Sequence, residues 1–141
     1  MELEREALAE YMIIDVKMPS TTDLGSDVEW FCKCFGFLES RDKEKTAGKI
    51  FKALLEVTKE GKGLSSDELA EKVGLTRGTM VHHLNKLTQS GLVIRREGRY
   101  ELRGRSLQRT VREIKRDIDR IFENVEQVAE GVDKNLDLTY R

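Results

Sequence analysis

A three-residue break, Gly74 to Thr76, separates two short stretches with helical periodicity, and it restricts the fold more than any other feature of the chain. Ser65 and Glu68 have the spacing of a capping box, which predicts a helix start, and Gly74 tolerates the positive φ of a helix end. Thr76 is the predicted N-cap of a second helix, which ends at Gly91. The sequence therefore predicts two short helices joined by a tight turn.

The second helix, residues 76–90, has two unlike faces at about 100° per residue. Met80, Leu84 and Leu87 share one face, which we expect in the core. The first turn and the opposite face carry small, basic and hydrogen-bonding side chains, which suit base edges and phosphates in a major groove. These candidate DNA-binding residues are Thr76, Arg77, Gly78, Thr79, His82, Asn85 and Lys86. His82 could instead be an ordinary surface residue, and His83 lies nearer the core, where a packing role is expected.

Residues 92–103 place apolar and basic side chains around a Glu97-Gly98 turn, which predicts a two-stranded hairpin, or wing. The side chains expected to face inward are Leu92, Ile94, Tyr100 and Leu102. Arginines suited to phosphate or minor-groove contact are Arg95, Arg96 and Arg99, with Arg103 also near the surface. A charged edge strand is the alternative. However, residues 76–109 hold eight basic and two acidic side chains in a chain of net charge −1, which favours a nucleic-acid surface.

Two short helices, a tight turn and a basic hairpin make up a winged helix-turn-helix. The stretch GLTRGTMVHHLNKLTQSGLV and its hairpin resemble the winged-helix domain of ArsR-type and related prokaryotic and archaeal transcription regulators, over roughly residues 42–105. The positions that carry the resemblance are Gly74, Thr76, Met80, His82, His83, Leu84, Leu87, Gly91, Leu92 and Val93. The resemblance implies a dimer that binds operator DNA with the second helix in the major groove.

Residues 1–40 hold nine acidic and three basic side chains, so we expect no DNA surface there. The start favours a helix, although Tyr11 to Val16 is rich in β-forming residues and could pair as a strand. The residues that would share a face of that helix are Leu3, Ala7, Leu8, Tyr11 and Ile14. Ser26 and Glu29 predict a second capping box and a short helix ending near Gly36. Its aromatic residues, expected to pack on the domain or on a partner rather than line a ligand pocket, are Trp30, Phe31, Phe35 and Phe37.

Cys32 and Cys34 form a C-x-C pair in that short helix. Metal-sensing members of the family that the chain resembles carry a C-x-C on the first helix of the helix-turn-helix, but residues 66–70 here hold no cysteine. Two thiolates are too few for a closed zinc site unless a dimer supplies two pairs. We therefore expect buried cysteines, no metal and no cofactor, with metal or redox sensing at this pair as the alternative.

Asp42 to Thr58 is the predicted first helix of the domain, and Ser106 is the predicted N-cap of a long helix after the hairpin. Apolar residues recur in that helix at alternating spacings of four and three: Leu107, Val111, Ile114, Ile118, Ile121, Val125, Val128 and Val132. This heptad pattern is typical of a coiled coil. A helix of about 26 residues would be about 39 Å long, more than one small domain covers. We expect a homodimer through this helix, with a helix folded back on its own domain as the alternative.

The predicted fold is mainly α with a small β-hairpin. The predicted units are an acidic extension (1–40), the winged helix-turn-helix (41–105), a long dimerisation helix (106–135) and a tail (136–141). The predicted function is sequence-specific, dimeric transcription regulation through double-stranded DNA, without enzymatic activity. A winged-helix module that binds other proteins is the alternative. The chain lacks an apolar run of about 20 residues and begins with an acidic stretch unlike a signal peptide, so we expect a cytoplasmic protein without a membrane partner.

Overall fold

The computed structural model describes residues 9–20, 23–37 and 45–138. Within these ranges the helices are α1 (Leu24–Cys34), α2 (Thr46–Thr58), α3 (Ser66–Val73), α4 (Arg77–Gln89) and α5 (Leu107–Leu136). Two antiparallel strands, β1 (Val93–Arg96) and β2 (Arg99–Leu102), form the hairpin between α4 and α5. The predicted fold class, mainly α with a small β-hairpin and a long C-terminal helix, is confirmed.

The N-terminal segment, residues 9–20, forms neither a helix nor a strand. The prediction of a helical face shared by Tyr11 and Ile14 is therefore wrong, while its residues Leu3, Ala7 and Leu8 lie outside the described ranges. Ile14 N–H donates to the Cys34 carbonyl at 2.8 Å, and the Trp30 indole donates to the Lys17 carbonyl at 2.9 Å. These bonds hold the segment against α1.

The start of α1 differs from the prediction because two capping signals overlap in the sequence. Asp23, three residues before Ser26, is the N-cap, and its Oδ1 accepts from Ser26 N–H at 2.8 Å. The helix therefore begins at Leu24. Its predicted end near Gly36 is confirmed, because α1 ends at Cys34 and Gly36, two residues later, has a φ of +74°.

The α2 helix passes through the centre of the core, where Ile50, Phe51 and Leu54 are fully buried. It begins at Thr46 rather than at Asp42, because Lys45 takes a left-handed conformation at the N-cap; residues 41–44 lie outside the described ranges. The Phe31 ring of α1 stacks on Phe51 at a centroid distance of 5.5 Å. The aromatic helix therefore packs on the domain, as predicted.

The hairpin pairs Val93 with Leu102 and Arg96 with Arg99. Val93 and Tyr100 face the core, whereas Ile94 lies on the opposite face and is half-buried. The prediction that Ile94 faces inward is wrong, because β1 begins at Val93 and side chains alternate from there. Leu64 exchanges two backbone hydrogen bonds with Tyr100, at 2.7 and 3.0 Å, so the start of α3 is fixed to the hairpin.

The first turns of α5 belong to the same hydrophobic cluster as α1 to α4. The predicted N-cap is confirmed, because Ser106 Oγ accepts from Arg109 N–H at 3.1 Å. Ile114 is 1% exposed, and the buried Thr110 hydroxyl accepts from Gly104 N–H and donates to the Ser106 carbonyl. Beyond Ile121 the helix leaves the domain, and its side chains through residue 136 are exposed.

Candidate nucleic-acid interface

The turn between α3 and α4 is fixed by hydrogen bonds at each side. The predicted capping box at Ser65 is confirmed: Glu68 N–H donates to Ser65 Oγ at 3.1 Å, and Ser65 N–H donates to Glu68 Oε1 at 3.2 Å. Gly74 ends α3 with a φ of +80°. Thr76 caps α4, because its Oγ1 accepts from Thr79 N–H at 3.2 Å. The orientation of α4 is therefore set by the turn as well as by its packing.

The α4 helix has a buried face and an exposed face, as predicted. Met80, Leu84 and Leu87 are each at most 1% exposed. The exposed candidate residues are Thr76, Arg77, Gly78, Thr79, His82 and Asn85, while Lys86 and His83 are half-buried. Gly78 lies in open space, where a Cβ would meet no atom within 4 Å. The exposed face therefore offers donors and acceptors along three turns, with room for close approach at its first turn.

Gln89 extends this surface and was missed by the sequence reasoning. It lies seven residues, close to two helical turns, after His82 and is exposed on the same face. A glutamine amide can pair bidentately with adenine, as an asparagine amide can. The helical periodicity that selected His82 and Asn85 also selects Gln89, but its place at the predicted helix end concealed it.

The hairpin arginines are exposed, and each has a contact within the protein. Arg99 Nη1 lies 2.9 Å from Glu68 Oε1 and Arg96 Nη1 lies 3.5 Å from Glu101 Oε1, while the Arg95 guanidinium lies 5.8 Å from the centroid of the Tyr100 ring. The tip residues Glu97 and Gly98 both have positive φ, which is the type I′ turn of a tight hairpin. The short tip leaves Arg96 and Arg99 paired directly across the hairpin.

Acidic side chains stand close to the basic ones on this surface. Arg77 Nε lies 3.6 Å from Asp67 Oδ1, and both side chains are about three-quarters exposed. Glu68 serves both as capping residue and as the partner of Arg99, and hydrogen bonds from Ser65 hold its pKa below the usual range. Exposed ion pairs of this kind are weak, so a phosphate group can replace the carboxylate partner.

Arg103, predicted near the surface with the other hairpin arginines, is held inside a polar cluster. Its Nη1 donates to Asp117 Oδ2 at 2.8 Å and to Tyr11 Oη at 3.2 Å, and its Nε lies 3.4 Å from Glu113 Oε1. Tyr11 also donates to Asp117 Oδ2 at 2.5 Å. The bond from Arg103 lowers the pKa of Asp117, while burial raises the pKa of Tyr11. This cluster joins the N-terminal segment, the hairpin and α5, so Arg103 is not available to DNA.

The predicted dimerisation residues divide into two groups along α5. In the half nearest the domain, Val111 is 36% exposed, while the domain partly or fully covers Leu107, Ile114, Ile118 and Ile121. The other half is uncovered, with exposed fractions of 55% at Val125, 68% at Val128 and 47% at Val132. The alternative in which the helix packs on its own domain therefore describes the first half of the seam but not the second.

The two cysteines lie on α1 with their side chains in the hydrophobic core. Their exposed fractions are 0% at Cys32 and 7% at Cys34. Residues two positions apart on a helix point in different directions, so the two thiols do not form one face. Burial raises the pKa of the Cys34 thiol. Among the described residues, no group of three or more His, Cys, Asp or Glu side chains is arranged to hold a metal ion.

Comparison with known families gives a match to a family model described as a helix-turn-helix domain, over residues 44–96. Searches of curated proteins and of solved structures found no match. Within the described ranges, no helix is both long and apolar enough to cross a membrane. The matched residues contain α2, the capped turn between α3 and α4, and the first strand of the hairpin. Residues 44–96 are therefore similar to a helix-turn-helix domain, and α3, the capped turn and α4 have that arrangement.

Proposed function

We propose that the protein is a sequence-specific transcription regulator of the ArsR-like winged-helix type, which binds double-stranded DNA as a homodimer. The observation that carries this proposal is the division of α4 into a buried apolar face and an exposed face of small, basic and hydrogen-bonding residues. A helix presented in this way by a helix-turn-helix domain enters the major groove. Residues 41–105 are the proposed DNA-binding unit and residues 106–135 the proposed dimerisation helix.

The α4 helix supplies the proposed base contacts. Arg77, Thr79, His82, Asn85 and Lys86 read base edges, because amide, imidazole, hydroxyl and basic side chains match the major-groove pattern of donors and acceptors. Thr76 and Gly78 lie at the helix start, where backbone N–H groups without intrahelical partners can bind a phosphate. Gly78 keeps this approach open, because no side chain projects from it.

The hairpin supplies the proposed backbone contacts through Arg95, Arg96 and Arg99. On binding, Arg99 exchanges Glu68 for a phosphate and Arg96 exchanges Glu101. The carboxylate pairs are exposed and weak, so the exchange costs little, whereas each phosphate contact releases a condensed counterion. The proposed contacts therefore contribute affinity for all DNA sequences and strengthen as salt falls.

The proposed backbone role is tested by measuring DNA affinity for Arg99→Ala against a matched control, Arg116→Ala. Both variants lose one positive charge, but Arg116 is exposed on α5 and belongs to neither α4 nor the hairpin. Arg99→Ala should weaken binding to unrelated duplexes equally and reduce the slope of log K against log salt by about 0.9 per protomer. Arg116→Ala should leave the slope unchanged. Equal slopes for wild type and Arg99→Ala would contradict the proposed role of the hairpin.

The proposed reading role is tested by His82→Ala in a selection from random duplexes. The variant should enrich a different base at one position of each half-site, because discrimination by one good contact is about 1–3 kcal/mol. The control is Arg116→Ala, which should enrich the wild-type sequence. An unchanged preference for His82→Ala would show that this face of α4 does not read bases.

A protein-binding module is the second candidate function. It is favoured by Asp67 and Glu68, which stand beside Arg77 and Arg99 and reduce the positive charge of the surface. This candidate predicts weak DNA binding with little salt dependence for the isolated protein.

A further inference from the structure

We infer that the uncovered half of α5 pairs antiparallel with the same half of a second copy, with the two Val125 side chains at the two-fold axis. The inference rests on the proposed homodimer and specifies its direction and register. It starts from a surface that the described part of the protein leaves uncovered. The exposed apolar residues of that surface are Phe122, Val125, Val128, Val132 and Leu136.

This apolar surface is wider than the seam that forms when only two positions of each heptad are apolar. At about 100° per residue, Ile118 to Leu136 place every apolar side chain in an arc of about 120°. Besides the heptad positions, the arc includes Phe122, Ala129 and Leu136, which recur every seven residues on one side of the seam. A stripe of this width faces the core of a packed assembly. Phe122, which is 59% exposed, is its largest uncovered side chain.

The spacing of the apolar residues along the helix is the same in both directions from Val125. An antiparallel pair centred there sets Ile118 opposite Val132, Ile121 opposite Ala129, and Phe122 opposite Val128. No polar side chain enters the contact. In a parallel coiled coil, the apolar residues beside the seam would instead contact the opposite flank of the partner's seam. Phe122 would lie beside Asp117 of the partner, and Leu136 would lie beside its Gly131. Only the antiparallel arrangement covers both apolar edges with apolar partners.

Charge along α5 also favours antiparallel pairing. Residues 107–120 hold five basic and three acidic side chains, and residues 121–138 hold one basic and five acidic ones. In the basic half, Glu113 and Asp117 are already paired with Arg103. A parallel pair would bring the two acidic halves together, where like charges repel. An antiparallel pair centred on Val125 sets residues 130–138, with three acidic side chains, beside residues 112–120 of the partner, with four basic ones.

The antiparallel register also gives a spacing suited to DNA. Ile114, where α5 is buried in its own domain, lies eleven residues before Val125. The two Ile114 residues of the pair would therefore be about 33 Å apart along the helix axis. Half-sites one DNA turn apart are about 34–36 Å from centre to centre. A parallel pair would bring the two Ile114 residues to about 8–10 Å, the distance between packed helix axes.

Disulfide cross-linking of full-length protein tests the direction of pairing. Two chains of different tag length, one with Ile121→Cys and one with Ala129→Cys, are mixed and oxidised gently. Antiparallel pairing predicts the mixed disulfide at about ten times the yield of either chain alone, because disulfides require Cβ atoms about 3.5–4.5 Å apart. Glu123→Cys, on the polar face, is the matched control and should not cross-link. Wild type measures the background from Cys32 and Cys34, which are buried.

The outcomes distinguish a wrong direction of pairing from the absence of a homodimer. Disulfides within each single-variant sample, without preference for the mixture, indicate parallel pairing and overturn the inference while the homodimer stands. A monomer mass for wild type at micromolar concentration overturns both. If Ile121→Cys fails to fold, spin labels at Arg112→Cys on the exposed polar face supply the test. The label distance should be about 40 Å for the antiparallel pair, and a distance under about 25 Å overturns it.

Discussion

Replacing Asp117 by asparagine should destabilise the protein, because this carboxylate joins three segments that are far apart in the chain. Its Oδ2 accepts from Tyr11 of the N-terminal segment and from Arg103 after the hairpin, while Asp117 itself is on α5. Asparagine has the same shape and keeps one acceptor oxygen, but it carries no charge. The change therefore removes the ionic part of the cluster with little effect on packing.

The expected loss follows from the two hydrogen bonds. A bond to a charged group contributes about 1.5–3 kcal/mol, but the Asp117 side chain is 26% exposed, so solvent weakens the interaction. Because the asparagine oxygen can still accept these bonds but carries no charge, we expect a loss of about 1–2 kcal/mol. For a chain of this length, that loss lowers Tm by about 3–7 °C.

Urea unfolding at a fixed protein concentration measures this difference, with Asp119→Asn as the control on the same helix. Asp119 is exposed and pairs with Lys115, four residues away, so its change should be within about 0.5 kcal/mol. The folded pKa of Asp117 lies below its unfolded value, near 3.9. Its contribution is therefore full above that pH and is lost as the pH falls through the folded pKa. Equal unfolding midpoints for wild type and Asp117→Asn at pH 7 would refute the reasoning.

Four further substitutions test other parts of the structure, with Gly74→Ala as the control for Gly91→Ala. Gly91→Ala should cost about 2–3 kcal/mol in urea unfolding, because φ is +86° and the new Cβ would lie 2.8 Å from Tyr11 Cε1. Gly74 has a φ of +80° but no close neighbour, so Gly74→Ala should cost only about 1 kcal/mol. Equal losses of stability for Gly91→Ala and Gly74→Ala would contradict the Tyr11 contact. Thr76→Ala should cost about 1 kcal/mol through the lost cap, measured in the same way. Val128→Asp should raise the dimer dissociation constant at least about tenfold in sedimentation, while the fold stays intact because Val128 is 68% exposed; an unchanged constant would place the dimer contact elsewhere.

Local signals predicted the parts of the fold that depend on neighbouring residues. The caps at Ser65, Thr76 and Ser106 and the turn at Glu97-Gly98 each need only a few consecutive residues, and all four are present. The α4 core face followed in the same way from its periodicity. Such features are decided by backbone hydrogen bonding within one or two turns.

The errors arose where distant residues or competing local signals decide the structure. Arg103 looked like another exposed arginine because its partner Tyr11 is 92 residues away. Asp23 and Ser26 both satisfy the pattern of an N-cap, and sequence alone does not rank them. Ile94 was placed inward because alternation was counted from Leu92, whereas β1 begins at Val93. A shift of one residue reverses the face of every side chain in a strand.

Selection of binding sites from fragmented genomic DNA, followed by anisotropy titration at two salt concentrations, tests the central claim most directly. We predict one enriched palindromic site with half-sites about one DNA turn apart. If the three hairpin arginines of each protomer contact phosphates, the slope of log K against log salt should be about −5. Weak binding, without an enriched site and with little dependence on salt, would contradict the account and favour a protein-binding role for this helix-turn-helix domain.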